Sequence, residues 1–408
     1  MIRFITFLVI PTIAILATYV AYLAANDGER LIHQPFGAND IAALSAGKVI
    51  VITGASSGLG KSSAKLLAEA GTAQAVVMTC RSMIKCNDTR DAILASIGES
   101  GKEGVNLITA ELDLESLSSV ESFSTGLQKS LAEIQNSGDK NKDNPNENDE
   151  TAQNVPKIDV LINNAGIMGV EYSLNSQTNV EAHMHVNHLG HFALTSLLLN
   201  NLMQGGDNGG RVVTVSSLVG APPFLNLQDV NFTNTTFRAW ILKHSKIAQY
   251  LMAYCASKRA NLVFTHALNA KYGLSSSSSS SSSAQGITAV AAHPGYSRTS
   301  IALGGWAGIP ECIKDFAMAN TIASMSSDDG ALPQLRAALD VEHVRAGDYV
   351  GPLFFVKGRP VVVGSAMKSF HHLFSPIREP AKISEELWSW SEGAIGWKFH
   401  DGPSKLIA

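Results

Sequence analysis

Six short apolar runs alternate with longer segments of helical periodicity along most of this 408-residue chain. The runs are Val49–Thr53, Ala75–Cys80, Asn106–Leu112, Ile158–Asn163, Arg211–Ser216 and Ile287–Ala292. They are rich in Val and Ile and apolar on both parities, which predicts strands covered on two faces. Between them, helices are expected over Lys61–Ala70, Ser116–Gln135, Asn179–Met203 and Ala253–Tyr272. This alternation predicts an α/β fold, a doubly wound parallel sheet in a single domain spanning 47–375, with 376–408 as a C-terminal helical extension.

Three stretches depart from the rhythm. Residues 136–157 hold six Asn and almost no apolar side chains, and 275–283 is a run of nine serines; both read as solvated loop insertions. From Phe4 to Ala25 there are 22 residues without a charge, enough to cross a hydrocarbon core of about 30 Å. The run is longer than the apolar part of a cleaved signal peptide and lacks its small-residue ending, so residues 1–26 are expected to be an uncleaved transmembrane anchor helix, followed by a linker over 27–46. Arg3 and the amino terminus, set against Asp27, Glu29 and Arg30, favour a cytosolic N-terminus.

Charge and cysteine content narrow the function classes. A formal net charge of −4 lacks the basic excess of a nucleic-acid binder, so no nucleic-acid partner is expected. Cys80, Cys86, Cys255 and Cys312 include no CxxC pair, which leaves reduced thiols as the expectation. His183, His185, His188 and His191 fall on different sides of an ideal helix at about 100° per residue, so they are read as packing or surface histidines and no metal site is assigned. Glycosylation sequons at Asn87, Asn231 and Asn234 are read as chance matches.

Directly after the first strand comes Thr53-Gly54-Ala55-Ser56-Ser57-Gly58-Leu59-Gly60, leading into a helix. A glycine turn of this kind, as in Rossmann-type sheets, sets backbone N–H groups and a helix N-terminus against a dinucleotide pyrophosphate. Gly54, Ser56, Ser57, Gly58, Leu59 and Gly60 are therefore cofactor-binding candidates. The overlapping Ala55-x4-Gly60-Lys61-Ser62 would fit a loosened P-loop, but no magnesium-binding strand supports that reading. The second strand ends in Thr79-Cys80-Arg81, without the acidic residue that would hold both ribose hydroxyls of NAD. Arg81 can pair with a 2′-phosphate, which favours NADP(H). Asp113 is placed for the adenine edge, and Asn164 within Asn163-Asn164-Ala165-Gly166 for the adenosine ribose.

Tyr254 and Lys258 lie four residues apart and so share one helix face. An ammonium beside a phenol favours the phenolate, which is expected to lower the Tyr254 pKa toward a range useful for proton transfer. Ser216 and Ser217 end the fifth strand at the sheet edge where ligands bind, and Asn187 is placed to bridge to the lysine through its main chain or a water.

In this order, TGASSGLG, LDL, NNAG, VNHLGHF, VSS, YCASK and HPGYSRT make the chain resemble the short-chain dehydrogenase/reductases over approximately 47–303. The resemblance implies Tyr254 as general acid/base, Lys258 as its pKa-lowering partner and ribose ligand, Ser217 as orienter of the substrate oxygen and Asn187 as support of the proton relay. It also implies that Pro294, Gly295 and Thr299 grip the nicotinamide carboxamide. The Asn187-His-Leu-Gly-His-Phe stretch, Thr-Cys-Arg81 and the anchor resemble the retinol-dehydrogenase-like branch. That implies a membrane-anchored NADP-dependent oxidoreductase of the endoplasmic reticulum or another endomembrane, acting on a lipophilic alcohol and its aldehyde or ketone. A hydroxysteroid or pigment-precursor reductase and a non-catalytic NADP(H)-sensing protein are the alternatives, and homo-oligomerisation stays open. The 36 residues between Ser217 and Tyr254 are more than in many members, which bears on the substrate pocket rather than on hydride chemistry.

Overall fold

The computed structural model describes residues 34–98, 106–138, 155–206, 209–217, 225–233, 246–273, 286–297, 325–353, 357–365 and 380–402. In chain order, α1 (Ala38–Ser45), β1 (Val49–Thr53), α2 (Gly58–Ala70), β2 (Ala75–Cys80), α3 (Met83–Ser96), β3 (Leu107–Glu111), α4 (Leu117–Gly138) and β4 (Val160–Asn163) come first. A broken helical stretch follows: α5 (Ala182–Met184), a π-helical turn (His185–Leu189), α6 (Gly190–Leu197) and α7 (Leu199–Met203). Next are β5 (Arg211–Val215), α8 (Lys246–Tyr272), β6 (Thr288–Ala292), α9 (Ser327–Leu339), β7 (Asp348–Pro352), β8 (Pro360–Ser365) and α10 (Pro380–Ile395).

The eight strands make one sheet in the order β3-β2-β1-β4-β5-β6-β7-β8. All neighbours are parallel except β7 and β8, an antiparallel pair at one edge. The strand order reverses between β1 and β4, which opens a crevice beyond their carboxyl ends. Val49 and Val51 pack into one core layer with α4, α6, α8 and α10, whereas Ile50 and Ile52 enter the other with α1, α2 and α9. Burial of both faces is why these strands carry apolar residues on both parities.

The expected strands β1 and β2 agree residue for residue, and the other four are one or two residues shorter than their apolar runs. The single helix expected over Asn179–Met203 is instead interrupted by the π turn and again at Leu198, whose φ of −97° and ψ of 5° leave the helical region. The helical extension expected over 376–408 holds α10, whereas α1, α3, α9, β7 and β8 were not anticipated; α9 carries Pro333 within it, a residue that ordinarily argues against a helix. α4 continues to Gly138, and Gln135 closes the base of the first insertion by pairing both ways with the backbone of Lys157, at 3.0 and 3.1 Å. Residues 139–154 and the serine run lie outside the described residues. So does the run Phe4–Ala25, and no helix among the described residues is long and apolar enough to cross a membrane.

The expectation of reduced thiols is corrected for one pair. Cys80, ending β2, is disulfide-bonded to Cys86 in the first turn of α3, and Cys255 is free and buried. A strand end turning at once into a helix brings these positions to a Cα–Cα separation of 5.8 Å, within reach of a bridge.

α10 is held to α8 and α6 by an aromatic cluster in which Phe192, fully buried, meets Phe399 at 4.9 Å, Trp388 at 5.1 Å and Phe264 at 5.4 Å between ring centroids. Phe192→Ala is expected to cost about 3–5 kcal/mol of stability through transfer and cavity terms. Urea unfolding followed by tryptophan fluorescence measures this, and an unchanged midpoint would contradict the packing described.

Candidate active site

A cleft of about 600 Å³ opens over the carboxyl ends of β1, β2, β4 and β5, and the motif residues of both ends of the sequence line it. At the β1 end, Gly54 has φ +69°, and a Cβ there would lie 2.9 Å from the Ala165 Cα. At Gly60 a Cβ would collide with the Gly54 carbonyl oxygen and lie 2.7 Å from Asn164 Nδ2. The missing side chains let the turn fold tightly against β4, and α2 begins at Gly58 with its N-terminus at the cleft. Ser56, Ser57 and Leu59 also line it. These residues fit a dinucleotide: the turn leaves room for phosphate and offers the positive end of a helix.

Arg81 is exposed and lines the cleft after Cys80; Asp113 lines it beyond β3, its Oδ1 accepting from the Glu115 N–H at 3.0 Å. Asn164 spends its side chain on the turn, Nδ2 donating to the Thr53 carbonyl at 2.7 Å. Pro294 and Gly295 are at the cleft, whereas Thr299 lies outside the described residues.

The reacting end gathers on β5 and α8. Tyr254 and Lys258 are both buried and both reach the cleft, with Lys258 Nζ 5.8 Å from the centre of the Tyr254 ring. The serine pair is divided by its partners. Ser216 Oγ donates to the Lys258 carbonyl at 2.7 Å, which ties β5 to α8, while the Ser217 hydroxyl is hydrogen-bonded to the Tyr254 phenol. Of the two, Ser217 is therefore the one facing the phenol.

Burial pushes the Tyr254 phenol up to about 12, against a lowering by Ser217. It pushes the Lys258 ammonium down to about 8. Contrary to the expectation of a lowered phenol, burial raises it, and Lys258 Nζ donates to the Val215 carbonyl at 3.0 Å. Gly166 stands between Lys258 and Asn187, since a Cβ on it would lie 3.4 Å from Nζ and 3.1 Å from Asn187 Oδ1.

Asn187 lies in the π turn. Its side chain clasps the Ile167 backbone, accepting at 2.8 Å and donating at 3.1 Å, and also donates to Ser257 Oγ at 2.9 Å. Its carbonyl faces His191 Nδ1 at 3.1 Å. The four histidines are buried, each with a partner of its own: Glu181 for His183, Thr178 for His185, Ser391 for His188 and Thr53 for His191. Among the described residues no three His, Cys, Asp or Glu side chains could hold a metal ion. Sequence reasoning missed Thr53 and His191 as site-building residues. A threonine ending a strand beside a glycine turn was the available signal, and its partner 138 residues away was not.

Three kinds of similarity bear on this geometry. The profile of the family described as "short chain dehydrogenase" matches residues 48–136 and 139–228. Human retinol dehydrogenase 11 is 31% identical over 291 residues, 71% of this chain and 72% of that protein. Bovine retinol dehydrogenase 12 is 32% identical over 258 residues, 62% of this chain and 63% of that protein. The crystal structure of a levodione reductase aligns at 17% identity with a TM-score of 0.48, covering 72% of this chain and 92% of that one.

The Gly60 contacts make a direct prediction. Gly60→Ala should force the turn away from the 164–165 segment at an overpacking cost of about 1–3 kcal/mol, and where that displaces the phosphate-facing N–H groups, dinucleotide affinity should fall roughly tenfold to hundredfold. Titration of NADPH fluorescence measures this, with circular dichroism confirming a folded chain; unchanged affinity would rule out the tight turn as the phosphate cradle.

Proposed function

Because this chain belongs to the short-chain dehydrogenase family, we propose that it is an NADP(H)-dependent oxidoreductase interconverting a lipophilic alcohol with its aldehyde or ketone. The hydrogen-bonded Ser217 and Tyr254 hydroxyls, with Lys258 one helical turn on and facing the same cleft, carry the reading. A nicotinamide cofactor is common to the family and supplies the hydride when bound.

The chain's own residues would do the rest. Ser217 would hold the carbonyl oxygen beside Tyr254, whose phenol would give it a proton in reduction and take it back in oxidation. The Lys258 ammonium would stabilise the phenolate so formed, and Asn187 would keep Ile167 and the neighbouring Gly166 against that ammonium. Arg81 would pair with a 2′-phosphate, which is the support for NADP over NAD. Ile167, Met168, Val170, Val186 and Leu251 add apolar wall to the cleft, suited to a hydrocarbon substrate such as the retinoid in the names of the relatives. The uncharged run Phe4–Ala25 would hold the domain at an endomembrane, where such substrates dissolve.

The test is nicotinamide oxidation with NADPH and NADH in parallel, against retinaldehyde, long-chain aldehydes and ketosteroids. Turnover with NADPH should fall about 10²–10⁴-fold in Tyr254→Phe. In Arg81→Ala the preference for NADPH should drop about tenfold to hundredfold, the worth of a charged hydrogen bond. Tight NADPH binding without turnover on any of these carbonyls would instead favour the sensing protein.

The pH profile has a definite sign. With Lys258 near 8, its ammonium is present below that pH and lost above it. The rate of carbonyl reduction should therefore decline as pH rises through about 8, and a rate holding level to about pH 9.5 would remove Lys258 from the proton chemistry.

A further inference from the structure

Behind Tyr254 lies a buried pair that none of the steps above uses. Glu181, 1% exposed, begins the broken helical stretch; its Oε2 accepts from the backbone N–H groups of His183 at 2.9 Å and Met184 at 3.2 Å. Its Oε1 faces His183 Nδ1 at 2.7 Å, and its own N–H donates to Asn231 Oδ1 at 2.9 Å. With Oε2 taken by two backbone N–H groups, Oε1 is the oxygen left to meet Nδ1, so the helix start and the imidazole are tied through one carboxyl group. The imidazole, 0% exposed, meets the Tyr254 ring edge to face at 6.4 Å with an interplanar angle of 75°. Its Nε2 is buried with no hydrogen-bond partner among the described residues.

A core position filled for packing alone would not carry a carboxylate and an imidazole, since each must be desolvated. The pair gives a rigid ring in return. The helix cap fixes the carboxylate, the carboxylate fixes the imidazole plane, and the imidazole lies T-shaped against the phenol ring whose hydroxyl meets Ser217. His183 is also one helical turn before Asn187, so the same segment sets both.

We propose that Glu181 and His183 are positioning residues for Tyr254, acting as one unit that sets the angle of the phenol ring. Its catalytic consequence rests on the reductase reading; the contact itself does not. His183→Asn keeps a donor near the Nδ1 position and deletes the ring edge, and Glu181→Gln keeps a cap acceptor and deletes the charge.

Two measurements on the full chain in detergent micelles test this. With retinaldehyde and NADPH, each variant should lose about tenfold in kcat while KM and NADPH affinity stay within about twofold, and the double variant should be no worse than the worse single one. Wild-type kcat in both singles, losses that multiply, or an equal fall in NADPH affinity would each overturn it. NMR of tyrosine labelled with ¹³C at Cζ, with the Tyr254 signal assigned by its absence in Tyr254→Phe, needs no turnover. The signal should shift in both variants, and an unmoved Tyr254 signal would overturn the proposal. If the wild type turns over no carbonyl yet the signal shifts, the reductase reading fails and the positioning contact stands.

Discussion

The hydroxyl of Thr53 is the constraint on which the site depends. It accepts the backbone N–H groups of Asn164 and Ala165, both at 2.9 Å, and so joins the end of β1 to the loop after β4 across the strand-order reversal. With both lone pairs engaged, its single proton goes to His191 Nε2 at 2.9 Å in preference to the Ile162 carbonyl at 3.3 Å. That makes Nε2 an acceptor and Nδ1 the donor to the Asn187 carbonyl. Burial holds His191 down at about 4, so the imidazole is neutral and this tautomer satisfies every partner. One hydroxyl thus couples the glycine turn, the loop beside the cleft and the π turn.

From that junction the two ends of the cleft are built by opposite means. At the dinucleotide end the residues matter for what they lack: Gly54 and Gly60 admit backbone and side-chain atoms of the 164–165 segment that any Cβ would displace. At the reacting end they matter for spent and unspent hydrogen bonds. Ser216 consumes its hydroxyl in fixing α8 against β5, which leaves Ser217 to meet the phenol. Two adjacent serines of the same chemistry, both just beyond β5, are separated only by the partner each meets.

Much of this was legible in the sequence because its signals are local. Strands buried on both faces show as short Val- and Ile-rich runs, and Tyr254 with Lys258 shares a face by helical period alone. The hidden parts depend on long-range partners. α3 spreads its apolar residues without a clear face, α9 contains Pro333, and β8 exists because β7 offers it an edge. The π turn could not be read either, since an ideal helical wheel assumes the regularity that Asn187 interrupts. It also scattered four histidines around one helix, without showing that every one would find a separate buried partner. The Cys80–Cys86 bridge escaped for a related reason: the sequence shows a spacing of six, and only a strand turning directly into a helix makes that spacing short.

The largest departure from expectation is electrostatic, and it follows from burial. Burial of both groups is hostile to either charge alone, so the phenol rises to about 12 and the ammonium falls to about 8. Each shift favours the uncharged form of its group. Together they describe a neutral phenol near a poorly solvated ammonium. In the proposed reduction, loss of the phenolic proton would put a negative charge near that ammonium, and the pair would be penalised less than its members apart. The same desolvation that raises the Tyr254 phenol would strengthen the ammonium–phenolate attraction in that proposed step. Apolar walls and the two buried titratable groups are therefore one design constraint, with Ser217 and the Val215 carbonyl supplying the hydrogen bonds that keep both groups buried.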